Sequence, residues 1–463
     1  MGFGTADRNR GGDDKAAHRG NPARFLEREV QAACDATRQD AGGPAIPDES
    51  LVHNYVVEAG LSSRLPKGIR IWDETLRDGE QTPGVTFSPE EKLEIARLLD
   101  EIGIPIIDVG IPVVSKEEAR AVKTLANAGL DATVLAASRI VRRDIDACID
   151  CGVDEIALFI ASSDLHLRYK LRMSRDQVLD AAVRETEYAS AHGLRVSFVT
   201  EDTFRSDLGF VARLYRACID AGAIRAVVCD TVGVMTPSAV SWFVGQLRPR
   251  LGAVELSFHG HNDFGLAVAN TLAACEAGVL VPHATVNGLG ERAGNASLEE
   301  LVMALDSLYG YETGIEPSRL YELSRLVERL SGVPVGVSKP IVGYNAFSHE
   351  SGIHADGIVK HAATYEPIQP ERIGRTRQFI FGKHTGTAAV EEKLRGHEIQ
   401  ATKSQVERLV HLIKDFAESK SKDEQQTFVE QYRYREERRR GVSDEEFWVL
   451  ARKAGIPVAE GSK

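Results

Sequence analysis

The stretch "SPEEKLEIARLLDEIGIPIIDVG", residues 88–110, contains one complete passage from helix to strand. Ser88 is an N-cap, Pro89 suits the first helical position, and Glu91 completes a capping box. Ile95, Leu98, Leu99 and Ile102 then recur at i, i+3, i+4 and i+7, the spacing that gives a helix one apolar face. Gly103 ends the helix, and "IPIIDVG" follows as a short strand. The same grammar continues for about 240 residues, through "IRIWDE", "IPIIDVG", "ATVLAAS", "DEIALFI", "LRVSFVT", "RAVVCD", "VELSFHG" and "HATVNG". Eight strands alternating with amphipathic helices predict an α/β chain built on a closed (β/α)8 TIM barrel rather than an open doubly wound sheet.

The barrel is expected over residues 69–312, after an N-terminal extension, 1–68, that is partly disordered and has a short helix around "NPARFLEREVQAACDAT". Beyond it the alternation is lost, and small mainly helical subdomains are expected: a linker or lid over 313–395, then a helical subdomain and tail over 396–463. With 56 Lys and Arg against 68 Asp and Glu, the net charge of −12 argues against nucleic acid as a partner. No apolar run approaches the ~20 residues that cross a bilayer, and the N-terminus lacks the apolar segment of a secretory signal, so the cytoplasm is the expected location. The six cysteines are scattered, as in a protein with reduced thiols. Cys148 and Cys151 form a CxxC, but no second pair accompanies them, and a zinc site needs four ligands.

In such a barrel the chemistry sits at the C-terminal ends of the strands. Polar residues follow every predicted strand: Arg77 and Asp78; Asp108; Ser138 and Arg139; His166 and Arg168; Thr200 and Glu201; Asp230 and Thr231; His259 and His261; Glu291, Arg292 and Asn295. His259 and His261, in "HGHNDFG", are two residues apart, so an extended backbone points both rings to one face. Two His, one Asp and one Asn offer two nitrogen and two oxygen ligands, a set suited to Zn²⁺, Mn²⁺ or Mg²⁺ with positions left open for substrate. Arg77 and Arg139 suit a carboxylated ligand, because a guanidinium binds a carboxylate through two parallel hydrogen bonds.

"DETLRDGEQTPG", "EDTFRSD", "DTVGVMTP", "HGHNDFGLAVANT", "NGLGERAGN", "SHESGIHADG" and "FGKHTG", in this order over residues 69–390, resemble the acyl-CoA-condensing synthases of the DRE-TIM metallolyase type. These include 2-isopropylmalate, citramalate and homocitrate synthases. The resemblance implies a barrel followed by small subdomains, and a transferase that condenses acetyl-CoA with a 2-oxo acid and hydrolyses the thioester. It implies a divalent metal on Asp78, His259, His261 and Asn295. Arg77 matches the arginine that stabilises the oxygen of the reacting carbonyl, Thr231 a residue that binds the oxo-acid carboxylate, and Glu201 an active-site acid. His354 matches the histidine implicated in deprotonating acetyl-CoA, a task suited to a group that titrates near neutrality, and Tyr365 matches its neighbour. The last two are expected to reach the barrel of a second subunit, in a homodimer with exchanged lid segments.

"SSDLHLRYKLRMSRDQVLDAA" and "HADGIVKHAATYEPI" look closest to homocitrate synthases, which favours an acceptor with a distal acidic group such as 2-oxoglutarate. Arg139, His166 and Arg168 are the candidates to meet that group. They serve equally for the phosphonate or phosphinate of phosphonopyruvate or phosphinopyruvate, or for oxaloacetate, in a phosphonomethylmalate- or phosphinomethylmalate-forming homologue of specialised metabolism. An isopropylmalate or citramalate synthase ranks lower, and a non-catalytic metal or oxo-acid sensor is the alternative of another class. The residues after the catalytic segments are too few for the large leucine-sensing domain of a feedback-regulated isopropylmalate synthase. Leucine is therefore expected to leave turnover unchanged, and a leucine titration extending through the micromolar range checks this.

Overall fold

The computed structural model describes residues 51–420 and 441–456, with 422, 426, 427, 430 and 431 between them. The helix expected near the N-terminus, and Cys34, lie outside the described residues. Eight parallel strands pair in chain order and close on themselves: β1 (Trp72–Asp73), β2 (Ile106–Asp108), β3 (Thr133–Arg139), β4 (Glu155–Ala161), β5 (Arg195–Glu201), β6 (Ala223–Asp230), β7 (Glu255–Gly260) and β8 (Val281–Ala284). The seam is β1 against β8, with Trp72 opposite His283 and Asp73 opposite Ala284. The expected cap forms: the Ser88 side chain accepts from the Glu91 N–H while the Glu91 side chain accepts from the Ser88 N–H, opening the helix Pro89–Glu101. That helix buries Ile95, Leu98 and Leu99 against the barrel.

The eighth strand differs from its reading in the sequence. It runs Val281–Ala284 rather than from His283 to Gly288, and Val286–Gly288 is a 3₁₀ turn with Asn287 at φ 60°. The reason is polar: the Asn287 N–H donates to Glu299 and its Nδ2 donates to the Ser324 carbonyl, so the chain turns where a β-branched alternation suggests extension. The CxxC falls at the end of the helix Arg142–Cys151, which Gly152 stops in the left-handed region; the five described cysteines are buried and unpaired. Among the described residues no helix is long and apolar enough to cross a membrane.

After the barrel come the helices Leu320–Ser331, Gly352–Lys360, Thr387–Arg395, Lys403–Ser419 and Asp444–Lys453. A two-stranded parallel ladder also occurs there, β9 (Ser348–His349) with β10 (Gln378–Phe379), which periodicity does not reveal in so short a segment.

Inside the barrel, side chains two apart on one strand share the inward face. Near the strand starts this face carries charge. Arg225 on β6 bonds Glu155 on β4 and donates to Ser197 Oγ on β5 at 2.7 Å, and it reaches Glu255 on β7 at 3.2 Å. Arg225, Glu155 and Ser197 are all fully buried. Next along the same face come Ala157, Val199 and Val227, and only beyond them do polar groups return. The bottom layer is thus a buried ion cluster whose members depend on one another. Arg225→Ala leaves the buried Glu155 carboxylate with only the Ser197 hydroxyl and Arg195 at 3.3 Å, and is expected to cost about 3 kcal/mol in urea unfolding, whereas replacing Arg225 and Glu155 together with Met and Leu recovers most of that loss. A loss below about 1 kcal/mol for the single variant would show that the cluster contributes little.

Candidate active site

His259 and His261 point into the barrel from the end of β7, and their Nε2 atoms face each other at 3.0 Å. Nδ1 of His259 lies 2.5 Å from one oxygen of Glu74, which follows β1, and Nδ1 of His283 on β8 lies 3.0 Å from the other. Arg77 Nη2 also bonds Glu74, while its Nε donates to Asp108 at 3.1 Å and its Nη1 to Asp78 at 3.2 Å. Asn295 Nδ2 donates to Asp78, and His261 Nε2 is 3.9 Å from the same carboxylate. Asn295 is delivered by a tight loop: at Gly294, φ +83°, a Cβ would stand 1.9 Å from the Gly288 carbonyl oxygen, so only glycine fits.

The loop bearing Arg77 and Asp78 is fastened from below. Lys92, fully buried on the helix Pro89–Glu101, donates to the Leu76 carbonyl at 3.1 Å and the Val109 carbonyl at 3.4 Å, groups that flank Arg77 and Asp108 in sequence. Its charge is met by Glu80 at 2.7 Å and Glu118 at 2.8 Å.

Burial works against every charge here, and neighbours decide the outcome. Burial opposes ionisation of Glu74, but Arg77, His259 and His283 outweigh it and hold its carboxyl well below the usual range. Burial lowers His261 to about 4, with the neighbouring His259 adding to the effect, so its imidazole is neutral near pH 7 and retains a lone pair. His283 is likewise lowered to about 4 by burial, which Glu74 only partly offsets. Burial also lifts Asp108 to about 7 against the pull of Arg77.

These residues fit a divalent ion. Two nitrogens each ~2.1 Å from a common ion stand about 3.0 Å apart when they are cis, which is the spacing between the two Nε2 atoms. Ligand atoms of Asp78, His259 and His261 lie within 4.8 Å of one another, and all three residues are buried. Asn295 Oδ1 is buried without a hydrogen bond, a cost that coordination would remove. Glu74 then stands behind His259 as the carboxylate that fixes a ligating imidazole.

A cavity of about 310 Å³ opens over this group, lined also by Arg77, Glu201, Thr231, Glu291 and Arg292. Its opposite wall is apolar: Ile111, Ala137, Ala157, Phe159, Val199 and Val227. Thr231 Oγ1 accepts from the Asp202 N–H at 2.8 Å, which leaves the hydroxyl proton to donate elsewhere. Glu201 is held by Lys170 Nζ at 2.6 and 2.7 Å, with His166 Nδ1 at 3.4 Å.

Arg139, His166 and Arg168, expected beside the substrate, do not line this cavity, although His166 stands close to Glu201, which does. Arg139 turns back to Asp144 at 2.5 Å, and Arg168 is exposed, 5.2 Å over the Tyr169 ring. His354 and Tyr365 pair with each other, ring centroids 4.1 Å apart, exposed and away from the lining of this chain's own cavity. Glu74, His283 and Lys170 were not foreseen. Glu74 shares the inward face with Trp72 and was legible from that alternation, whereas the misplaced eighth strand concealed His283.

The HMGL-like family model matches residues 68–327, more than half of the chain. The chain belongs to the HMGL-like family. A second model, the homocitrate synthase post-HMGL domain-like family, matches residues 341–421. A probable 2-isopropylmalate synthase of Methanopyrus kandleri is 51% identical over 76% of this chain and 71% of its own length. The homocitrate synthase AksA of the same organism is 49% identical over 78% of this chain and 90% of its own. The (R)-citramalate synthase CimA of Methanocaldococcus jannaschii is 46% identical over 76% and 71%. Among solved structures, the Bacillus subtilis HMG-CoA lyase superposes with a TM-score of 0.54 at 24% identity, over 60% of this chain and 98% of the lyase, a likeness of fold. With relatives of this kind the protein is an acetyl-CoA-condensing, alkylmalate-type synthase of the HMGL-like family, a family that uses a divalent metal.

Because Glu74 orients His259 from behind, Glu74→Gln is expected to weaken divalent-metal retention about 10–100-fold, read as bound metal after equilibrium dialysis. Retention equal to the unaltered protein would show that Glu74 serves the barrel seam alone.

Proposed function

We propose that the protein condenses acetyl-CoA with a 2-oxo acid carrying a distal acidic group, 2-oxoglutarate foremost, in the manner of a homocitrate synthase. The observation that carries the reading is the division of the cavity: carboxylates and imidazoles on the side of β7, β8 and β1, and an apolar wall opposite that leads to Glu201, behind which stand Lys170 and His166. The wall suits the methylenes of such an acceptor and the rim suits its far charge. The homocitrate synthase relative, and the family model over residues 341–421, support the same choice.

In this reading Asp78, His259, His261 and Asn295 hold a divalent ion, Zn²⁺, Mn²⁺ or Mg²⁺. When bound, the ion acts as a Lewis acid toward the acceptor ketone. Thr231 donates a hydrogen bond from its hydroxyl to the oxo-acid carboxylate. Arg77, its guanidinium fixed by Glu74, Asp78 and Asp108, presents positive charge where the ketone oxygen becomes an alkoxide. His354, beside Tyr365, takes a methyl proton from acetyl-CoA; the carbon nucleophile attacks the ketone carbon, and Glu201 serves as the active-site acid. Water then cleaves the thioester, releasing CoA and the 2-hydroxy acid. Since His354 and Tyr365 stand on an exposed helix and turn, we assign them to the cavity of a second subunit, in a homodimer. Residues 69–312 are then the catalytic barrel, 313–395 the lid that carries the base, and 396–463 a helical appendage after an extension of 1–68. The unpaired cysteines accord with a cytoplasmic location.

A second reading, a compact apolar acceptor such as 2-oxoisovalerate or pyruvate, is favoured by one observation: Arg139 and Arg168 turn away from the cavity. Thiol release from acetyl-CoA, measured with Zn²⁺, Mn²⁺ or Mg²⁺ against 2-oxoglutarate, oxaloacetate, phosphonopyruvate, phosphinopyruvate, 2-oxoisovalerate and pyruvate, separates the two. Release with 2-oxoglutarate supports the first. Selective release with oxaloacetate or the phosphorus analogues keeps the distal acid but replaces the homocitrate assignment, and release confined to the last two acceptors sinks it. His354→Ala is expected to retain metal and oxo acid in equilibrium dialysis while condensation falls about 10²–10⁴-fold; loss of metal instead would show that the role is wrong.

A further inference from the structure

The cationic side chains around the cavity differ in how fully they are engaged. Arg77 is shared among three carboxylates, and Arg292 is held by both oxygens of Asp263 and by the Thr231 carbonyl. Lys170 contacts only one of the carboxylates described here, Glu201, and that one lines the cavity. An ammonium has three donors, and Glu201 accounts for two, so one remains for a substrate acid.

The backbone that places Lys170 is irregular. Residues Leu167–Leu171 form a single π-helical turn, which ends at Arg172 with φ 55°, a left-handed conformation that a non-glycine residue adopts at a cost. Such turns are rare and concentrate at functional sites. This one brings Lys170 Nζ to Glu201, and although Lys170, like its neighbours Arg168 and Tyr169, is exposed and does not itself line the cavity, it alone of the three bonds a carboxylate that does. His166, just before the turn, places Nδ1, buried and without a hydrogen bond, 3.4 Å from the same carboxylate.

We propose that Lys170 is the acceptor-selecting residue: its ammonium, steadied by Glu201, receives the distal acid group once the apolar wall of Ala137, Phe159 and Val199 has taken up the methylenes. The assignment rests on the distal-acid reading of the acceptor. It gives Lys170 the task that the sequence suggests for Arg139, His166 and Arg168.

The test compares kcat/KM for 2-oxoglutarate with that for 2-oxoisovalerate in the full-length, metal-loaded enzyme and in Lys170→Met, Lys170→Gln and Lys170→Arg. Expected is a fall of tenfold or more in this ratio for Met and Gln, expressed mainly in the KM for 2-oxoglutarate, and recovery of most of the ratio in Arg. An unaltered enzyme that uses 2-oxoglutarate, with Met and Gln variants keeping its ratio, overturns the role of Lys170 and leaves the acceptor reading standing. Equal losses with both acceptors overturn it too, because Lys170 then acts through Glu201 rather than on the acid. An unaltered enzyme that ignores every acidic acceptor overturns the acceptor reading and this assignment together.

Discussion

One buried carboxylate organises the catalytic end of this barrel. Glu74 is 2% exposed, and its two oxygens are met from three directions: His259 on β7, His283 on β8, and Arg77 on its own loop. Burial works against its charge. Its neighbours reverse that, and the contacts that keep the charge also stitch β7 and β8 to β1, where the backbone ladder is only two residues long. The same carboxylate therefore closes the barrel, orients an imidazole and fixes a guanidinium. Each task depends on Glu74 remaining ionised in a place where ionisation is costly.

The interior is layered accordingly. A charged cluster centred on Arg225 fills the end where the strands begin, apolar side chains occupy the middle, and polar groups gather where the strands end. The two polar ends differ in what their groups face. At the lower end Arg225 has Glu155, Ser197 and Glu255. At the upper end Asn295 Oδ1 and His261 Nδ1 are buried without hydrogen bonds, and the Nε2 atoms of two imidazoles stand 3.0 Å apart. Between them Ala157, Val199 and Val227 form an apolar layer on β4, β5 and β6, while on β7 and β8 the buried Ser257 bonds His283, which bonds Glu74.

Much of this was legible in the chain. The cap at Ser88 and the apolar spacing behind it announced the first helix, and repetition of that pattern announced the barrel. The i, i+2 spacing of His259 and His261 gave their common face, because strand alternation is a strong geometric rule. Reading failed where the rule ends. At β8 the polar bonds of Asn287 turn the chain early, so that His283 is an inward member of the strand and not its first residue. Arg139 and Arg168 were suitable residue types in suitable places, but a long side chain at a strand end has several carboxylates within reach, and Asp144 took Arg139. Lys170 was hidden for a related reason: a π-helical turn shifts the register of the side chains after it, and no periodicity signals that shift.

The shortness of β1 has a further consequence. With so little backbone ladder at the seam, the polypeptide there relies on side chains that also serve the reaction, and on Lys92 gripping the carbonyls of Leu76 and Val109 beneath them. Ancestry is constrained by such an arrangement. A descendant that abandoned turnover would not be at liberty to let these residues drift, since they fasten the wall as well as work within it, and its dead site would go on looking alive long after selection for the product had ceased.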